Sequence, residues 1–545
     1  MKTEFISKSK LKSIFMLAIR TTLIAIMLAI GASKVEAQCI PFLGGPGTSS
    51  INAFEIHTLE HLCFLAQQVN NGVSYQGIYF SLMQDIGSLQ VPFTEMIGDD
   101  FNSFEGIFSG NGNTIYVEIV SDAENVGLFS RVSGAARIDS LIISGSVTGT
   151  ATSGAQNVGG FAGEVLNGAT FSFCTNLAEV TGNSPSSSVA GIVGFVNAWS
   201  YYHQFFECVN NGLISGGKYV AGIVGSAESV YIMSCRNSGT IKRNDSIPLS
   251  SPQQSICIAG ILAYSTECII YSSVNIGKIF GSGFDYAGGI YAWVEGSGIY
   301  GCSNSGIVVD GIIATAGIVA YLSDSFSNIC NSINTNWVYS SNGAVGAISG
   351  INNGTIIYCY YDNQMCIVDA IGNNNSLNVF NVEGMPTELM IGDGLLSSLY
   401  SMMAYGPWSF EANLYPRPRA DFVTNTHNHP ISLLSAAPIY LPAGQRVDNV
   451  NTRFWVSNYD SRPPFLWNPN QIDILPPYFY QWGWYNPNHT PFSFRQFISV
   501  PASISGSPSI ATIIVPGGGQ DSLSVRLEDP NDSIYEKIIP IFIGP

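Results

Sequence analysis

A two-part motif recurs along the chain and constrains its fold more than any other feature. A head of glycine and apolar residues, such as AGIVG at 190–194, is followed by a tail such as CVNNG at 208–212. The second residue of each head falls at Gly160, Gly191, Gly222, Gly260, Gly289, Gly317 and Gly346. The steps between these markers are 31, 31, 38, 29, 28 and 29 residues. A period of this size, held over seven units, indicates a stack of repeated structural units.

The apolar pattern within one unit predicts strands rather than helices. Helical repeats need apolar residues at a period of 3.6 over ten or more positions, whereas the apolar runs here are short and interrupted by Gly, Asn or Ser. One unit holds three such runs, at 223–224, 230–233 and 240–241. We therefore expect an all-β fold, a right-handed parallel β-helix of about eight or more coils, in which equivalent residues stack about 4.8 Å apart.

The tail of the motif predicts a stack of buried thiols. Cysteine is among the most buried residue types, and a small apolar side chain suits a tight inward position. The expected members of this ladder are Cys174, Cys208, Cys235, Cys302, Cys330 and Cys359, with Ser273 in place of one cysteine. An asparagine follows two residues later in five of the units, and asparagine suits both left-handed turns and hydrogen bonding along a stack.

These motifs resemble a known family. The heads AGIVG with the tails CVNNG, CRNSG and CSNSG are similar to the GLUG-motif repeats of bacterial secreted and surface proteins of the Bacteroidetes type. The stretch FEGIFSGNGNTI (104–115) resembles the opening block of that family, although Ser109 and Asn113 stand where the family favours Asp and His. The resemblance covers residues 50–420 and implies an adhesin-like, exported β-helix protein.

The N-terminal segment predicts export, and the negative charge argues against nucleic acid as a partner. Residues 1–37 combine a basic start, an apolar run at 21–30 and small residues before a cleavage point after Ala37, which is the pattern of a signal peptide. The chain of 545 residues has a formal net charge of −17, and removal of this basic segment makes the mature chain more acidic. We expect a secreted or cell-surface protein that does not bind nucleic acid and does not span a membrane after signal cleavage.

The remaining chain is expected to form three units and a linker. An N-terminal cap and the first β-helix coils occupy 38–126, with an amphipathic helix at 55–69 that closes the open end of the stack. The GLUG-type repeats occupy 127–420, and 421–430 is a linker. Residues 431–545, with period-two apolar strands and many prolines, predict an Ig-like β-sandwich.

The reactive residues do not form a pattern typical of an active site. Acidic residues between 151 and 380 are isolated, and no CxxC pair or phosphate-binding loop is present. Asp99 and Asp100 are adjacent, and a solvated turn is the simpler interpretation. Cys257 and Cys268 are either two more core residues, which we favour, or a local disulfide. We expect no enzyme activity, no cofactor and no metal.

Two aromatic clusters are the candidate binding residues. They are Trp199, Tyr201 and Tyr202 in one segment, and Tyr480, Trp482 and Trp484 in FYQWGWYNPN. Aromatic rings stack on sugar rings and anchor protein interfaces, but they also fill cores. The sequence thus favours a structural or adhesin-like rod that binds a glycan or protein ligand. The alternative is a β-helix polysaccharide lyase or glycoside hydrolase, which convergence of two acids in one groove with flanking aromatics would favour.

Overall fold

The chain forms a parallel β-solenoid of about ten turns in a computed structural model. The structure describes residues 39–197, 203–247, 255–390, 394–400, 408–410 and 415–418, and strand segments between 431 and 544. Each full turn passes through three sheets that run the length of the stack: one of 27 short strands, one of eight and one of nine. Pairings within the solenoid are parallel except for the first, between Leu43–Gly44 and Phe54–Ile56.

The 27-stranded sheet carries two columns of strands. The first column contains Leu43–Gly44, Phe54–Ile56, Tyr79–Leu82, Ile107–Ser109, Arg137–Asp139, Thr170–Ser172, His203–Phe206, Val230–Met233, Ile269–Tyr271, Gly298–Tyr300, Asn328–Cys330, Thr355–Asp362 and Val379–Met385. The second column contains Thr114–Ser121, Ile142–Gly149, Thr175–Asn176, Glu179–Gly182, Val209–Asn210, Ile214–Gly216, Arg236–Asn237, Ile241–Arg243, Val274–Asn275, Ile279–Phe280, Ser303–Asn304, Val308–Val309, Ile333–Asn334 and Val338–Tyr339.

The other two sheets are single columns of strands. The eight-stranded sheet contains Asn125–Val126, Ala155–Gly159, Ser186–Ala190, Tyr219–Ala221, Cys257–Ala259, Tyr286–Gly288, Ala314–Ala316 and Ala344–Gly346. The nine-stranded sheet contains Phe129–Val132, Ala162–Leu166, Val193–Asn197, Val224–Glu228, Leu262–Thr266, Tyr291–Glu295, Val319–Leu322, Ser349–Asn352 and Ile371–Asn374. The three apolar runs expected in each unit are therefore strands, and each coil adds further short strands between them.

A single continuous hydrophobic core fills the solenoid. Phe171 and Phe205 illustrate the stacking, because they pair on neighbouring strands and their parallel rings lie 5.3 Å apart. The core begins with the α-helix Leu59–Asn70, which Thr58 caps by accepting a hydrogen bond from the His61 N–H and which buries Leu62 and Leu65. The helix starts later than predicted, because Phe54–Ile56 is already a strand.

The thiol row is present, with one correction. Cys174, Cys208 and Cys235 are fully buried. They lie on successive coils, since the Val209 N–H bonds to the Cys174 carbonyl and the Arg236 N–H bonds to the Cys208 carbonyl. Cys302 and Cys359 lie further along the same row.

Cys330 does not belong to this row. It pairs with Tyr300, and Ser332 takes the equivalent position beside Cys302. The turn 324–327, where the Asp324 carboxylate accepts the Phe326 and Ser327 N–H groups, is two residues longer than its counterpart and shifts the register.

A row of asparagines runs beside the thiols. Each side-chain amide donates to the next side-chain oxygen over distances of 2.7–2.8 Å, and every member is fully buried. The members are Asn176, Asn210, Asn237, Asn275, Asn304 and Asn334. The left-handed backbone of this turn falls on the residue before the thiol, such as Ser234 at φ 60°, rather than on asparagine.

The glycines of the motif are required by close contact between coils. A Cβ on Gly289 would lie 2.0 Å from the Gly317 carbonyl oxygen, and one on Gly306 would lie 1.9 Å from the Gly277 oxygen. No side chain fits at such distances. In the last unit Ala347 rather than Gly346 is equivalent to Gly317, because Gly346 pairs with Ala316.

Smaller elements complete the described chain. They are the 3₁₀ helix Ser50–Asn52, the helices Thr387–Met390 and Leu396–Tyr400, and the antiparallel pair Trp408–Ser409 and Arg417–Pro418. Backbone pairing after residue 430 joins Ile431–Ser435 to Phe454–Asn458, Arg446–Asp448 to Thr512–Ile514, and Ile439–Pro442, Ile534–Gly544, Gly519–Glu528 and Phe479–Tyr485 into a four-stranded sheet.

Candidate functional site

The outer faces of the eight- and nine-stranded sheets meet in an external groove along the solenoid. The two sheets approach closely because small residues stand at the junction: a Cβ on Gly194 would lie 2.6 Å from the Val158 nitrogen. We call this surface the lateral groove. One wall carries Asn125, Asn157, Ser188, Tyr219, Cys257, Tyr286, Ala314 and Ala344. The other wall carries Arg131, Glu164, Phe195, Ser226, Tyr264, Trp293, Tyr321 and Ile351.

Five aromatic rings from four consecutive coils line one half of the lateral groove. Tyr219 and Tyr264 stack across it with ring centroids 5.0 Å apart, and Tyr286 and Tyr321 stack at 5.3 Å. Trp293 lies among them, with its ring 5.2 Å from both Tyr286 and Tyr321 and 5.9 Å from Tyr264. Tyr286 is buried, whereas the other four residues are partly exposed and pack with it along the groove.

An alkylammonium group already lies against this aromatic wall. The Nζ atom of Lys218 is 4.6 Å from the centre of the Tyr219 ring, within the distance of a cation–π interaction. Burial lowers the pKa of Lys218. The wall therefore contacts an amine through the face of a ring, while burial disfavours the charged form of that amine.

Burial keeps the phenol groups of the groove neutral. It raises the pKa of Tyr219 well above the ordinary value and the pKa of Tyr286 to about 12. Burial also raises the pKa of Tyr264, and the negative charges of Glu295 and Glu228 raise it further. At neutral pH these side chains present rings and hydroxyl groups without charge.

Two carboxylates stand on the rim beside the rings. Glu228 and Glu295 are exposed and occupy the same position on coils that are two apart, with Thr266 between them. Neither forms an ion pair with a residue in the part of the chain that the structure describes. On the opposite wall Asp285 accepts a hydrogen bond from the Ile256 N–H. The rim of the aromatic half is thus more negative than positive.

The other half of the groove is polar and internally bonded. Arg131 pairs with Glu164, with its Nη2 2.6 Å and its Nε 2.7 Å from Oε2. The Asn125 amide bridges Glu164 and Asp100, at 3.4 Å and 3.1 Å. Glu164 is 7% exposed, so little of its carboxylate faces solvent.

Asp99 differs from its neighbour Asp100. It closes the local turn by accepting N–H bonds from Phe101 and Asn102, whereas Asp100 reaches the groove. The simple turn expected for this pair therefore describes Asp99, and the Asp100 carboxylate contacts Asn125 instead. Among the described residues no group of three or more His, Cys, Asp or Glu side chains is arranged to hold a metal ion.

The candidate residues chosen from the sequence fall where side chains are not described. Trp199, Tyr201 and Tyr202 lie outside the described residues, between the strands Val193–Asn197 and His203–Phe206. Tyr480, Trp482 and Trp484 lie on the strand Phe479–Tyr485, where the structure describes only backbone pairing with Gly519–Glu528. Their roles in binding stay predictions.

Sequence reasoning missed the residues of the lateral groove. The signal was present at fixed distances from the marker glycines. Tyr264, Trp293 and Tyr321 each stand four residues after a marker, and Tyr219 and Tyr286 stand three before one. An aromatic residue at one offset in consecutive units predicts a column of rings, because equivalent residues stack.

The cysteines outside the thiol row have different states. Cys39 and Cys63 form a disulfide between the N-terminal segment and the helix Leu59–Asn70. Cys257 and Cys268 are free thiols and both are buried, so they do not form the local disulfide considered from the sequence. Cys257 lies in the wall of the lateral groove and Cys268 in the core.

Comparison with known proteins yields one partial likeness. No protein-family model and no solved structure matches the chain. A segment of 143 residues, 25% of this chain, is 32% identical to a protein of Evansella cellulosilytica named "Putative Gly-rich membrane protein" and covers 16% of that protein. The matched segment thus corresponds to about a sixth of that relative's length. Within the described part of this chain, no helix has the length and apolar character needed to cross a membrane.

Proposed function

We propose that the chain is an exported, non-enzymatic repeat protein of the cell surface or exterior, and that it binds an extended saccharide along the lateral groove. Its role is adhesion or structural display. The observation that carries this proposal is the set of five contacting rings on four consecutive coils. Coils repeat about every 4.8 Å, so the rings form an elongated platform of about 14 Å, and aromatic faces of this kind stack on sugar rings.

Export is supported by two independent features. Residues 1–37 have the pattern of a signal peptide, and Cys39 and Cys63 form a disulfide directly after it. Disulfides persist in oxidising compartments outside the cytosol. The resemblance to GLUG-motif proteins agrees with a location outside the cell.

The terminal segments have proposed supporting roles. The helix Leu59–Asn70 covers the first coils of the core and serves as a cap against edge-to-edge association. The strands after residue 430 belong to a β-sandwich, Ig-like in type, that acts as a spacer or a second binding module.

A glycan array with the mature chain, 38–545, tests the proposal. Trp293→Ala removes the ring at the centre of the aromatic half, and we expect it to weaken saccharide binding at least tenfold, the scale of an aromatic hot spot. Trp337→Ala is the matched control, because Trp337 is also half-buried and stacked on a tyrosine, Tyr339, but lies outside the groove. If no saccharide binds, or if both variants behave alike, the groove is not the binding site.

A carbohydrate-active enzyme is the second candidate, because Asp100 and Glu164 converge on the same groove that carries the rings. Such enzymes use two acidic groups on either side of the cleaved bond. Here both carboxylates are hydrogen bonded to Asn125, and Arg131 covers Glu164. Release of reducing ends or unsaturated products from any polysaccharide, abolished by Glu164→Gln in a variant of unchanged melting temperature, would establish the enzyme instead.

A further inference from the structure

The charges around the aromatic half of the lateral groove carry an inference about its ligand. This inference rests on the proposed function and specifies the chemistry of the saccharide. Aromatic rings alone accept neutral, anionic and cationic sugars. The groups next to the rings therefore decide which of these binds best.

The aromatic half favours positive charge in two ways. Glu228 and Glu295 stand on the rim beside Tyr264 and form no ion pair with a described residue. The π faces of Tyr264, Trp293 and Tyr321 are also electronegative and attract cations. Lys218 shows the contact with a ring, because its Nζ lies 4.6 Å from the centre of the Tyr219 ring.

Lys218 shows one part of this arrangement, an amino group over a ring of the groove. Its Nζ atom lies over the ring of Tyr219, and its side chain makes no hydrogen bond or ion pair within the described residues. The rings of Tyr264 and Trp293, one and two coils further on, have no such occupant. Tyr264 is flanked instead by Glu228 and Glu295, and its ring stacks on Tyr219.

The remaining charges do not favour an anionic ligand. Asp285 adds a third carboxylate on the opposite wall, and Arg131 at the polar end is already paired with Glu164. Lys218 is thus the one cation of the aromatic half in the described chain. The formal net charge of −17 also repels acidic polymers over longer distances.

We propose that the aromatic half of the lateral groove recognises a saccharide that bears free amino groups, with the ammonium groups over Tyr264 and Trp293 and beside Glu228 and Glu295. The sugar rings stack on the aromatic platform and the carboxylates select the charged form. Acetylation of the amino groups removes the charge and weakens binding.

Matched oligosaccharides separate charge from shape. Chitosan oligosaccharides carry free amino groups, chitin oligosaccharides have the same backbone with acetylated amines, and oligogalacturonates are anionic. Titration calorimetry with the mature chain at low salt should show chitosan binding about tenfold more tightly than chitin, and oligogalacturonate not binding. Raising the salt concentration should reduce the preference, because exposed charges are screened.

The double variant Glu228→Gln and Glu295→Gln tests the carboxylates. It preserves shape and should bring chitosan to the affinity of chitin. The control Glu179→Gln removes an exposed carboxylate from a different sheet and should change nothing. If chitosan and chitin bind equally well, the selection by charge is wrong. If that binding still depends on Trp293, the proposed function stands.

Two other outcomes are also decisive. Binding of poly-lysine without binding of any oligosaccharide, lost in the double variant, identifies a basic polypeptide partner and overturns the saccharide assignment. If no ligand binds in any arm and Trp293→Ala has no effect, both the proposed function and this inference are wrong.

Discussion

The interior of the solenoid and its lateral groove are built by the same coils but follow different rules. Inside, similar residues return on successive turns, as in the fully buried asparagine row from Asn176 to Asn334. In the groove the residue type changes along one column, from Arg131 and Glu164 to Tyr264 and Trp293. Repetition inside satisfies packing and hydrogen bonding, whereas variation outside creates a surface with two chemically distinct halves.

The largest effect is expected from a charge placed in the interior. Ile232→Asp buries an unpaired carboxylate at a fully buried position, at a cost of several kcal/mol. We expect loss of the protease-resistant repeat region in limited proteolysis. The control Gln204→Asp changes an exposed, outward residue on the preceding strand of the same sheet. Proteolysis that is unchanged in Ile232→Asp would show that the interior tolerates what an outward position of the same sheet tolerates.

A break in the asparagine row should have the next largest effect. Asn237→Leu keeps the volume but removes the hydrogen bonds that Asn237 forms with the Asn210 amide, the Asn275 oxygen and the Gly239 carbonyl. We expect a loss of about 2–4 kcal/mol in the free energy of unfolding, measured by denaturant titration, because three hydrogen bonds between buried groups are lost. The exposed Asn342→Leu is the control and should be nearly neutral. Equal losses in the two variants would contradict a structural role for the row.

Alkaline pH should act on the groove through its tyrosines. The pKa of Tyr286 is raised to about 12 by burial, and those of Tyr219 and Tyr264 are also raised. A raised pKa favours folding below the unfolded pKa of about 10 and loses that contribution as the pH climbs toward the folded value. The melting temperature should therefore fall between about pH 10 and pH 12. The fall should be smaller in Tyr219→Phe with Tyr286→Phe, and an identical fall would mean that these phenols do not contribute.

The last prediction concerns the thiols and has the smallest expected effect on stability. It is a contrast in their reactivity between the native and the unfolded protein. Burial raises the pKa of Cys302 to about 12 and leaves its side chain inaccessible. Thiols react as thiolates, so alkylation of the native protein should be slow and should become complete after unfolding. Mass spectrometry of the labelled peptides measures this. Rapid native labelling of Cys302 would show that the interior opens as readily as the surface.

The sequence by itself determined the repeat and the architecture. Glycines that recur every 28–38 residues mark where coils touch, and the Cys-x-Asn-x-Gly tail marks a turn that stacks on the same turn of the next coil. These positions can be recognised in the sequence because each must satisfy the same packing constraint on successive turns. The exception, Cys330, shows the limit, since a turn two residues longer moved the ladder position to Ser332 without altering the apparent pattern.

Only the tertiary structure decided the lateral groove. Its walls come from two different sheets, so Tyr219 meets Tyr264 on the next coil, 45 residues along the chain, and Asp100 meets Glu164 through Asn125. Such contacts depend on how closely the two outer faces approach, and small residues at the junction set that distance. The local pattern of each strand is the same whether its outward side chains face open solvent or a second sheet. The sequence therefore predicts which residues point outward, and the fold alone determines which of them meet.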